Sequence, residues 1–103
     1  MAKNNNKEEV WNNTCGNRNE CRDYSGRLMK KSAYNNRSSK YSWNIDHIRP
    51  ISDGGTDKMC NKIANHVLTN DEKGDDFPHW KANGKRFKAR RISKNCYKIV
   101  SND

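Results

Sequence analysis

The chain has 103 residues, of which 31% are apolar, and its 21 Lys and Arg residues oppose 12 Asp and Glu residues to give a formal net charge of +9. This length predicts one domain, residues 1–103, with a thin core. The sequence has no run of about 18 apolar residues and no apolar signal-peptide core near its start, so we expect an intracellular, cytoplasmic protein. The basic excess favours a polyanionic partner, most commonly nucleic acid, and the alternative is a cationic surface that serves only solubility.

The first part of the chain predicts little regular structure. Residues 1–13 are polar and Asn-rich, and we expect them to be flexible apart from a short helix at Lys7–Trp11 that docks its tryptophan. Residues 14–40 contain few apolar anchors, and Gly26 favours a turn. This second segment is predicted to be loop with short extended pieces.

A strand–turn–strand pattern begins at Tyr41. The aromatic and aliphatic residues Tyr41, Trp43 and Ile45 alternate with polar residues, which predicts a strand. The motif SDGG (52–55) predicts a tight turn, and KMCNKIAN (58–65) predicts a short returning strand.

A short helix and a basic extension are predicted to follow. The helix covers roughly residues 66–74, with Asn65 as its N-cap and Gly74 as its end. Residues 76–103 form a basic C-terminal extension in which KRFKARRI and CYKIV predict a β-hairpin. The large aromatic residues expected in the core are Trp43, Trp80 and Phe87.

The cysteines do not predict a metal site or a disulfide framework. Cys15, Cys21, Cys60 and Cys96 have irregular spacings and form no CxxC pair, so a structural zinc site is an alternative that is not favoured. Disulfides are rare in intracellular proteins. We therefore expect buried or free thiols.

Polar residues with the chemistry of phosphoryl transfer recur in the middle segment. If the two strands pair and the helix lies across them, Asp46 and Asn70 bring two oxygen atoms to one hard divalent cation, for which Mg²⁺ or Mn²⁺ is better suited than zinc. His47 then lies where it would deprotonate a water for attack on phosphorus. Asn61 falls in the connection, where an amide pins a loop through backbone hydrogen bonds.

The run WNIDHIRPISDGGTDKMCNKIANHVLTNDEKGD (43–75) resembles the HNH endonuclease family, and in particular a small stand-alone member of the HNN type. The Gly-Gly turn lies between the Asp-His pair and the central asparagine, and the signature NxxKGD matches residues 70–75. The resemblance covers roughly residues 21–75. The positions that match the family's Asp-His pair, central asparagine and final histidine or asparagine are Asp46, His47, Asn61 and Asn70.

The resemblance implies an α+β fold with a ββα-metal core at residues 41–75, a loop-rich N-terminal segment and a C-terminal β-hairpin. It implies a metal-dependent endonuclease that hydrolyses DNA phosphodiester bonds, by nicking or by double-strand cleavage, with one Mg²⁺ or Mn²⁺ ion. His47 would be the general base, Asp46 and Asn70 the metal ligands, and Asn61 the residue that shapes the loop and orients the base. Many relatives carry two CxxC pairs around a structural zinc, and this chain lacks both.

Several assignments stay open at this point. His66 is an extra metal ligand, a hydrogen-bond partner of the site, or a surface residue. The substrate is DNA in preference to RNA, and the alternatives are an inactive DNA-binding module of the same fold or an RNA-directed nuclease. The sequence does not distinguish a monomer from a homodimer. The candidate nucleic-acid-binding residues are Arg49, Lys73, Lys85, Arg86, Arg90 and Arg91.

Overall fold

The structure, a computed structural model, describes residues 2–103, with side chains from residue 6 onward. Within these residues the chain forms a small mixed fold of two α-helices and three antiparallel sheets. The helices are α1 (Ala2–Cys15) and α2 (Val67–Lys73), and the strands are β1 (Glu20–Arg22), β2 (Leu28–Lys30), β3 (Trp43–His47), β4 (Lys62–His66), β5 (His79–Ala82), β6 (Lys85–Ser93) and β7 (Cys96–Ser101). In the described part of the chain, no helix is both long enough and apolar enough to span a membrane.

Helix α1 is longer than the short helix that the sequence predicts. Val10 and Trp11 are fully buried, the Trp11 Nε1–H donates to the Arg18 carbonyl at 2.8 Å, and the Trp11 ring centroid lies 4.9 Å from that of Trp43. The docking of Trp11 is confirmed. For the second half of this segment the expectation of flexibility is wrong, because the buried side chains of Val10 and Trp11 pack it against the core.

The hairpin of β3 and β4 forms the centre of the fold. The strands pair antiparallel with Trp43 opposite His66 and Asp46 opposite Ile63. Trp43 belongs to the main core cluster, against which Ile45 packs. The returning strand begins at Lys62 instead of residue 58, because residues 59–61 form one 3₁₀ turn before it.

The connection between β3 and β4 requires glycine at the predicted turn. Gly54 has a positive φ of 92°, and a Cβ added at Gly55 would lie 1.8 Å from the Arg49 carbonyl oxygen. The Gly55 N–H donates to the Pro50 carbonyl at 2.9 Å. The predicted turn is confirmed, and the close backbone approach explains its second glycine.

Helix α2 has a different N-cap from the predicted one. The His66 side chain, not that of Asn65, accepts the Leu68 N–H through Nδ1 at 3.1 Å. The C-terminal end is as predicted, since the Gly74 N–H donates to the Asn70 carbonyl at 2.9 Å with a positive φ of 55°. The helix begins at Val67, so the N-cap position falls on His66, while Asn65 donates through Nδ2 to Asn44 and its Oδ1 makes no hydrogen bond.

The C-terminal extension is a three-stranded sheet in the order β5-β6-β7, not a hairpin alone. Strand β5 escapes prediction because it has only four residues, although Trp80 and Ala82 alternate with exposed residues. These two residues and Phe87 form a second core cluster, against which Tyr24 packs at 4.9 Å between its ring centroid and that of Phe87.

All four cysteines are paired, which makes the expectation of buried or free thiols wrong. The disulfides are Cys15–Cys21 and Cys60–Cys96, and the described residues contain no free cysteine. The second bond joins residues 36 apart in sequence because β7 lies against the 3₁₀ turn that precedes β4. With all four sulfurs bonded in pairs, they are not available to a structural zinc.

We predict that Trp11→Ala lowers the free energy of unfolding by about 3–5 kcal/mol, because it leaves a cavity beside Trp43. Urea denaturation followed by fluorescence or circular dichroism measures the change. Asn12→Ala, at an exposed position of the same helix, is the control and should stay within about 0.5 kcal/mol of the wild type. An unchanged midpoint for Trp11→Ala would mean that the helix does not dock.

We predict that thiol titration of the denatured protein finds no reactive thiol before reduction and four after it. The double variant Cys60→Ala/Cys96→Ala should lose about 3–4 kcal/mol of stability, because the bond closes a loop of more than 30 residues in the unfolded chain. The variant Cys15→Ala/Cys21→Ala, whose cysteines are six residues apart, removes a smaller loop constraint. Four thiols before reduction would contradict the pairing.

Candidate functional site

The end of strand β3 places Asp46 and His47 on opposite faces, because successive side chains of a strand alternate. Asp46 faces α2, where its Oδ2 lies 3.1 Å from the Nζ atom of Lys73. His47 faces the β3–β4 connection, where its Nε2 lies 2.8 Å from Oδ1 of Asp57. The two adjacent residues therefore have separate surroundings.

The Asp46 carboxylate is largely buried, with 12% of the side chain exposed. Burial raises the pKa of this carboxyl, and the nearby Lys73 ammonium opposes that shift. The Lys73 Nζ forms an ion pair with Oδ2 at 3.1 Å, and among the described residues no hydrogen bond of standard geometry is made to this buried oxygen. Such an oxygen retains a lone pair for a further ligand.

Lys73 is not on the surface, as phosphate binding would require. Its side chain is fully buried, and its Nζ lies over the Trp80 ring at 5.0 Å from the centroid and 3.5 Å from the His47 carbonyl oxygen. The prediction that Lys73 binds nucleic acid is wrong in this arrangement, because the ammonium is enclosed by Asp46, Trp80 and the backbone of β3.

His47 is held by a carboxylate that the sequence did not single out. Asp57 Oδ1 accepts from His47 Nε2 and also lies 3.3 Å from Nζ of Lys62. The hydrogen bond from His47, and then that from Lys62, lower the pKa of Asp57, which therefore remains ionised. In the neutral imidazole, an ionised acceptor at Nε2 places the proton on that nitrogen and leaves the lone pair on Nδ1. The only sequence signal was an acid directly after the GGT turn.

Asn61 fastens the loop that carries Asp57. Its buried amide accepts the Arg49 N–H at 2.9 Å and donates to the carbonyls of Arg49 at 3.1 Å and of Thr56 at 2.7 Å. The backbone of Asn61 also accepts the Ile48 N–H at 2.8 Å. These contacts join the two ends of the connection and agree with the loop-pinning interpretation of this residue.

Asn70 lies on α2 and is oriented by Asn44, a second residue that sequence reasoning missed. The Asn44 Oδ1 accepts from Nδ2 of Asn70 at 3.1 Å and from Nδ2 of Asn65 at 3.0 Å. This arrangement turns the Asn70 amide oxygen away from Asn44, and none of the described residues hydrogen-bonds to that oxygen. The signal for Asn44 was its position two residues before Asp46, on the same strand face.

His66 fixes the start of α2 and has no nitrogen free for a metal. Nδ1 accepts from Leu68, Nε2 lies 2.8 Å from the Lys40 carbonyl oxygen, and the His66 N–H donates to buried Asp23 at 2.9 Å. The alternatives of an extra metal ligand and of a surface residue are both wrong, because both ring nitrogens are engaged and the residue is buried. It supports the helix that carries Asn70.

The remaining candidates for nucleic-acid binding differ in their surroundings. Arg49 Nε donates to the Asp53 carbonyl at 2.9 Å and its Nη1 to the Tyr97 hydroxyl at 3.2 Å, so these two donors are engaged. Lys85 Nζ donates to the Ser25 carbonyl at 3.1 Å. Arg86, Arg90 and Arg91 are exposed on the C-terminal sheet. The structure therefore brings Asp46, His47, Asn61 and Asn70 to one hairpin and helix and leaves three arginines on a separate sheet.

The donors at this site fit a hard, partly hydrated cation better than zinc. Among the described residues, no group of three or more His, Cys, Asp or Glu side chains is arranged to hold a metal. Asp46 offers a buried oxygen without a hydrogen bond, and Asn70 offers an amide oxygen. Mg²⁺ is bound in this way, by one or two protein oxygens with water and substrate phosphate completing the shell.

We predict that Asn61→Ala lowers the free energy of unfolding by about 3 kcal/mol, because it removes three hydrogen bonds and leaves the partly buried Arg49 and Thr56 backbone groups without partners. Urea denaturation in the presence of a chelator measures this structural effect alone. Asn13→Ala, at an exposed position, is the control. Equal midpoints for both variants would show that the amide does not hold the loop.

The comparisons with known proteins bear on the same segment. A family model described as HNH endonuclease matches residues 23–79, more than half of the chain, and this range includes Asp46, His47, Asp57, Asn61 and Asn70. Searches of curated proteins and of solved structures gave no significant match. The hairpin with Asp46 and His47, the loop pinned by Asn61 and the helix with Asn70 all lie inside the matched region, and the chain belongs to the HNH endonuclease family.

Proposed function

We propose that the protein is a metal-dependent endonuclease that hydrolyses DNA phosphodiester bonds, with His47 as the general base and one divalent cation held by Asp46 and Asn70. The ββα-metal core would be β3, β4 and α2 with their connection. The observation that carries the proposal is the end of β3, where a histidine fixed through Nε2 directly follows a buried carboxylate oxygen that has no hydrogen-bond partner.

The base in this proposal is Nδ1 of His47. Because Asp57 accepts the Nε2–H, Nδ1 holds the lone pair that takes a proton from water. As His47 becomes an imidazolium, the ionised Asp57 stabilises the new positive charge and keeps the ring in place. Asp57 is therefore a positioning residue, and 30% exposure of the His47 side chain gives solvent water access to the ring.

Asp46 and Asn70 would hold Mg²⁺ or Mn²⁺ through one carboxylate and one amide oxygen. When bound, such a cation polarises the phosphate and stabilises negative charge on the departing oxygen. Lys73 supplies a positive charge 3.1 Å from Asp46, which offsets the cost of burying that carboxylate. Asn44 keeps the Asn70 amide oriented with its nitrogen toward Asn44 and its oxygen available.

Asn61 acts through Asp57 in this proposal. The amide bonds to Thr56, the residue directly before Asp57, and to both backbone groups of Arg49. The loop is thereby held so that the Asp57 carboxylate stays within 2.8 Å of the base. Loss of Asn61 would change the position of the base without removing any group that touches the substrate.

A DNA-binding module without catalysis is the second candidate function. The observation that favours it is the buried ammonium of Lys73, which already provides Asp46 with a positive partner in the absence of a divalent ion. Under this alternative the site would be stable without a cation and would not cleave in any metal.

We predict that the protein nicks supercoiled plasmid DNA in Mg²⁺ or Mn²⁺ but not in chelator, and that His47→Ala lowers the rate by about 10²–10⁴-fold because the general base is lost. Gel separation of nicked and linear products measures the rate. Asn12→Ala is the control, since Asn12 is an exposed residue on α1 and belongs neither to the site nor to the C-terminal sheet. Full activity of His47→Ala would eliminate this residue as the base.

The variant Asp57→Ala extends the same experiment to the positioning residue. We expect kcat to fall by about 10–100-fold with KM unchanged, because Asp57 contacts the base and not the phosphate. Asp57→Asn keeps a hydrogen-bond acceptor and should lie between Asp57→Ala and the wild type. No cleavage by the wild type in either metal, together with DNA binding, would support the inactive module, and faster cleavage of RNA than of DNA would assign an RNA substrate.

A further inference from the structure

The basic excess of the chain is concentrated in its C-terminal quarter. Residues 77–102 contain eight Lys and Arg residues and no Asp or Glu, whereas the whole chain has a formal net charge of +9. The remainder of the chain, which includes the candidate catalytic site, is therefore almost neutral. Attraction for a polyanion must come chiefly from the sheet of β5, β6 and β7.

The strand register divides this sheet into two faces. Directly paired residues of antiparallel strands carry their side chains on the same face. The buried face carries Trp80, Ala82 and Phe87, which together form the second core cluster. The other face, which we call the open face, contains the pairs Lys81–Arg86, His79–Lys88 and Arg90–Lys98, with Val100 opposite Lys88.

The open face therefore combines five basic side chains with no acidic one. In the part of the chain that the structure describes, none of the five forms an ion pair. Six acidic residues outside this face are paired with other basic residues. Four of the five are exposed, and Lys88 is half-buried. The five residues are Lys81, Arg86, Lys88, Arg90 and Lys98, and the paired acids are Glu8, Asp46, Asp53, Asp57, Asp71 and Glu72.

We propose that the open face binds the phosphate backbone of duplex DNA, as a surface separate from the site at His47. This inference rests on the proposed function only for the choice of nucleic acid as partner. The proposed surface contains only two of the four C-terminal residues that the sequence analysis named as candidates for nucleic-acid binding. Arg86 and Arg90 belong to the open face, whereas Lys85 and Arg91 alternate onto the opposite side of β6.

The geometry of β6 suits a regular array of phosphates. Residues two apart on a strand are separated by roughly 6.8 Å, so Arg86, Lys88 and Arg90 form a row of about 14 Å. This length corresponds to about four axial steps of 3.4 Å along one DNA strand. The neighbouring strands add Lys81 and Lys98 on either side of the row.

The composition of the open face favours a duplex backbone over the other polyanions. Proteins that bind single strands combine cations with aromatic side chains on which bases stack, and the open face has no Phe, Tyr or Trp. Membrane-binding surfaces combine cations with large apolar residues. The nearest exposed one here is Ile92, with 61% of its surface accessible, beyond Arg90 at the end of the sheet.

The test is a titration of a fluorescent DNA duplex at several salt concentrations in the presence of chelator, so that binding is measured without cleavage. The variant is Arg86→Gln/Lys88→Gln/Arg90→Gln. The matched control, Arg22→Gln/Lys30→Gln/Lys40→Gln, removes the same charge from exposed positions in the N-terminal part of the chain. Urea midpoints near that of the wild type establish that both proteins are folded.

We expect the open-face variant to raise Kd on the order of tenfold or more and to reduce the slope of log Kd against log salt by about 2–3, since each lost phosphate contact contributes about 0.9. The control should change both values much less. Equal losses in the two variants, or an unchanged salt slope in the open-face variant, would overturn the proposal. So would tighter binding to single-stranded RNA or to vesicles of anionic lipid than to the duplex at equal phosphate concentration.

The same variants separate this inference from the proposed nuclease activity. If the wild type cleaves, the open-face variant should raise KM with kcat unchanged, because these side chains lie outside the site at His47. A fall in kcat with KM unchanged would contradict the assignment to backbone binding. If no cleavage is found, the chelator titration still decides whether the open face binds DNA.

Discussion

The buried ammonium of Lys73 lies where the three main parts of the structure meet. It is the last residue of α2, it lies 3.1 Å from Asp46 on β3, and its Nζ is over the ring of Trp80 on β5. A buried charge is costly unless it is paired, so helix, hairpin and C-terminal sheet are constrained to positions that keep these contacts. The same pairing stabilises the Asp46 carboxylate in the buried position that the proposed metal ligand requires.

The loop between β3 and β4 is held by hydrogen bonds, a close backbone approach and a disulfide. The Asn61 amide joins Arg49 to Thr56, Gly55 allows a close backbone approach, and the disulfide of Cys60 attaches the end of the loop to β7. Arg49 adds a contact to the Tyr97 hydroxyl. Because these contacts fix the loop from both sides, Asp57 is presented to His47 with little conformational freedom, which is what a positioning residue needs.

Charge is distributed in two different ways in this small fold. Around the hairpin and α2, basic and acidic residues are paired, as in Arg27–Glu72 and Arg37–Asp71. On the open face of the C-terminal sheet the basic residues have no acidic partners among the described residues. Exposed ion pairs contribute little stability, so the main effect of this pairing is that the region carries little net charge. The unpaired region retains a long-range field that attracts a polyanion. Substrate attraction and chemistry can thus reside on separate surfaces of one small domain.

Much of the central segment follows from the sequence alone. Alternation at Trp43 and Ile45, the SDGG turn and Gly74 are local signals, because backbone preference and strand periodicity act over a few residues. The family resemblance also came from the chain itself, through the spacing of Asp46, His47, Asn61 and Asn70, and the family model agrees with it. Tertiary structure decided what depends on distant segments. Lys73 is buried because Asp46 and Trp80 surround it, and Asp57 reaches His47 because Asn61 fixes the loop.

The cysteine pairing and the open face of the C-terminal sheet also depend on segments that are distant along the chain. Cys60 and Cys96 are paired only because β7 packs beside the turn before β4, which no spacing in the chain indicates. The hairpin and its basic residues were predicted from the sequence, but which face of β6 is open depends on Tyr24 and the second core cluster. The sequence by itself determined the residue types, their local periodicity and the total charge. Only the packing of distant elements decided which of those residues are buried, paired or exposed, because these properties depend on neighbours that are remote along the chain.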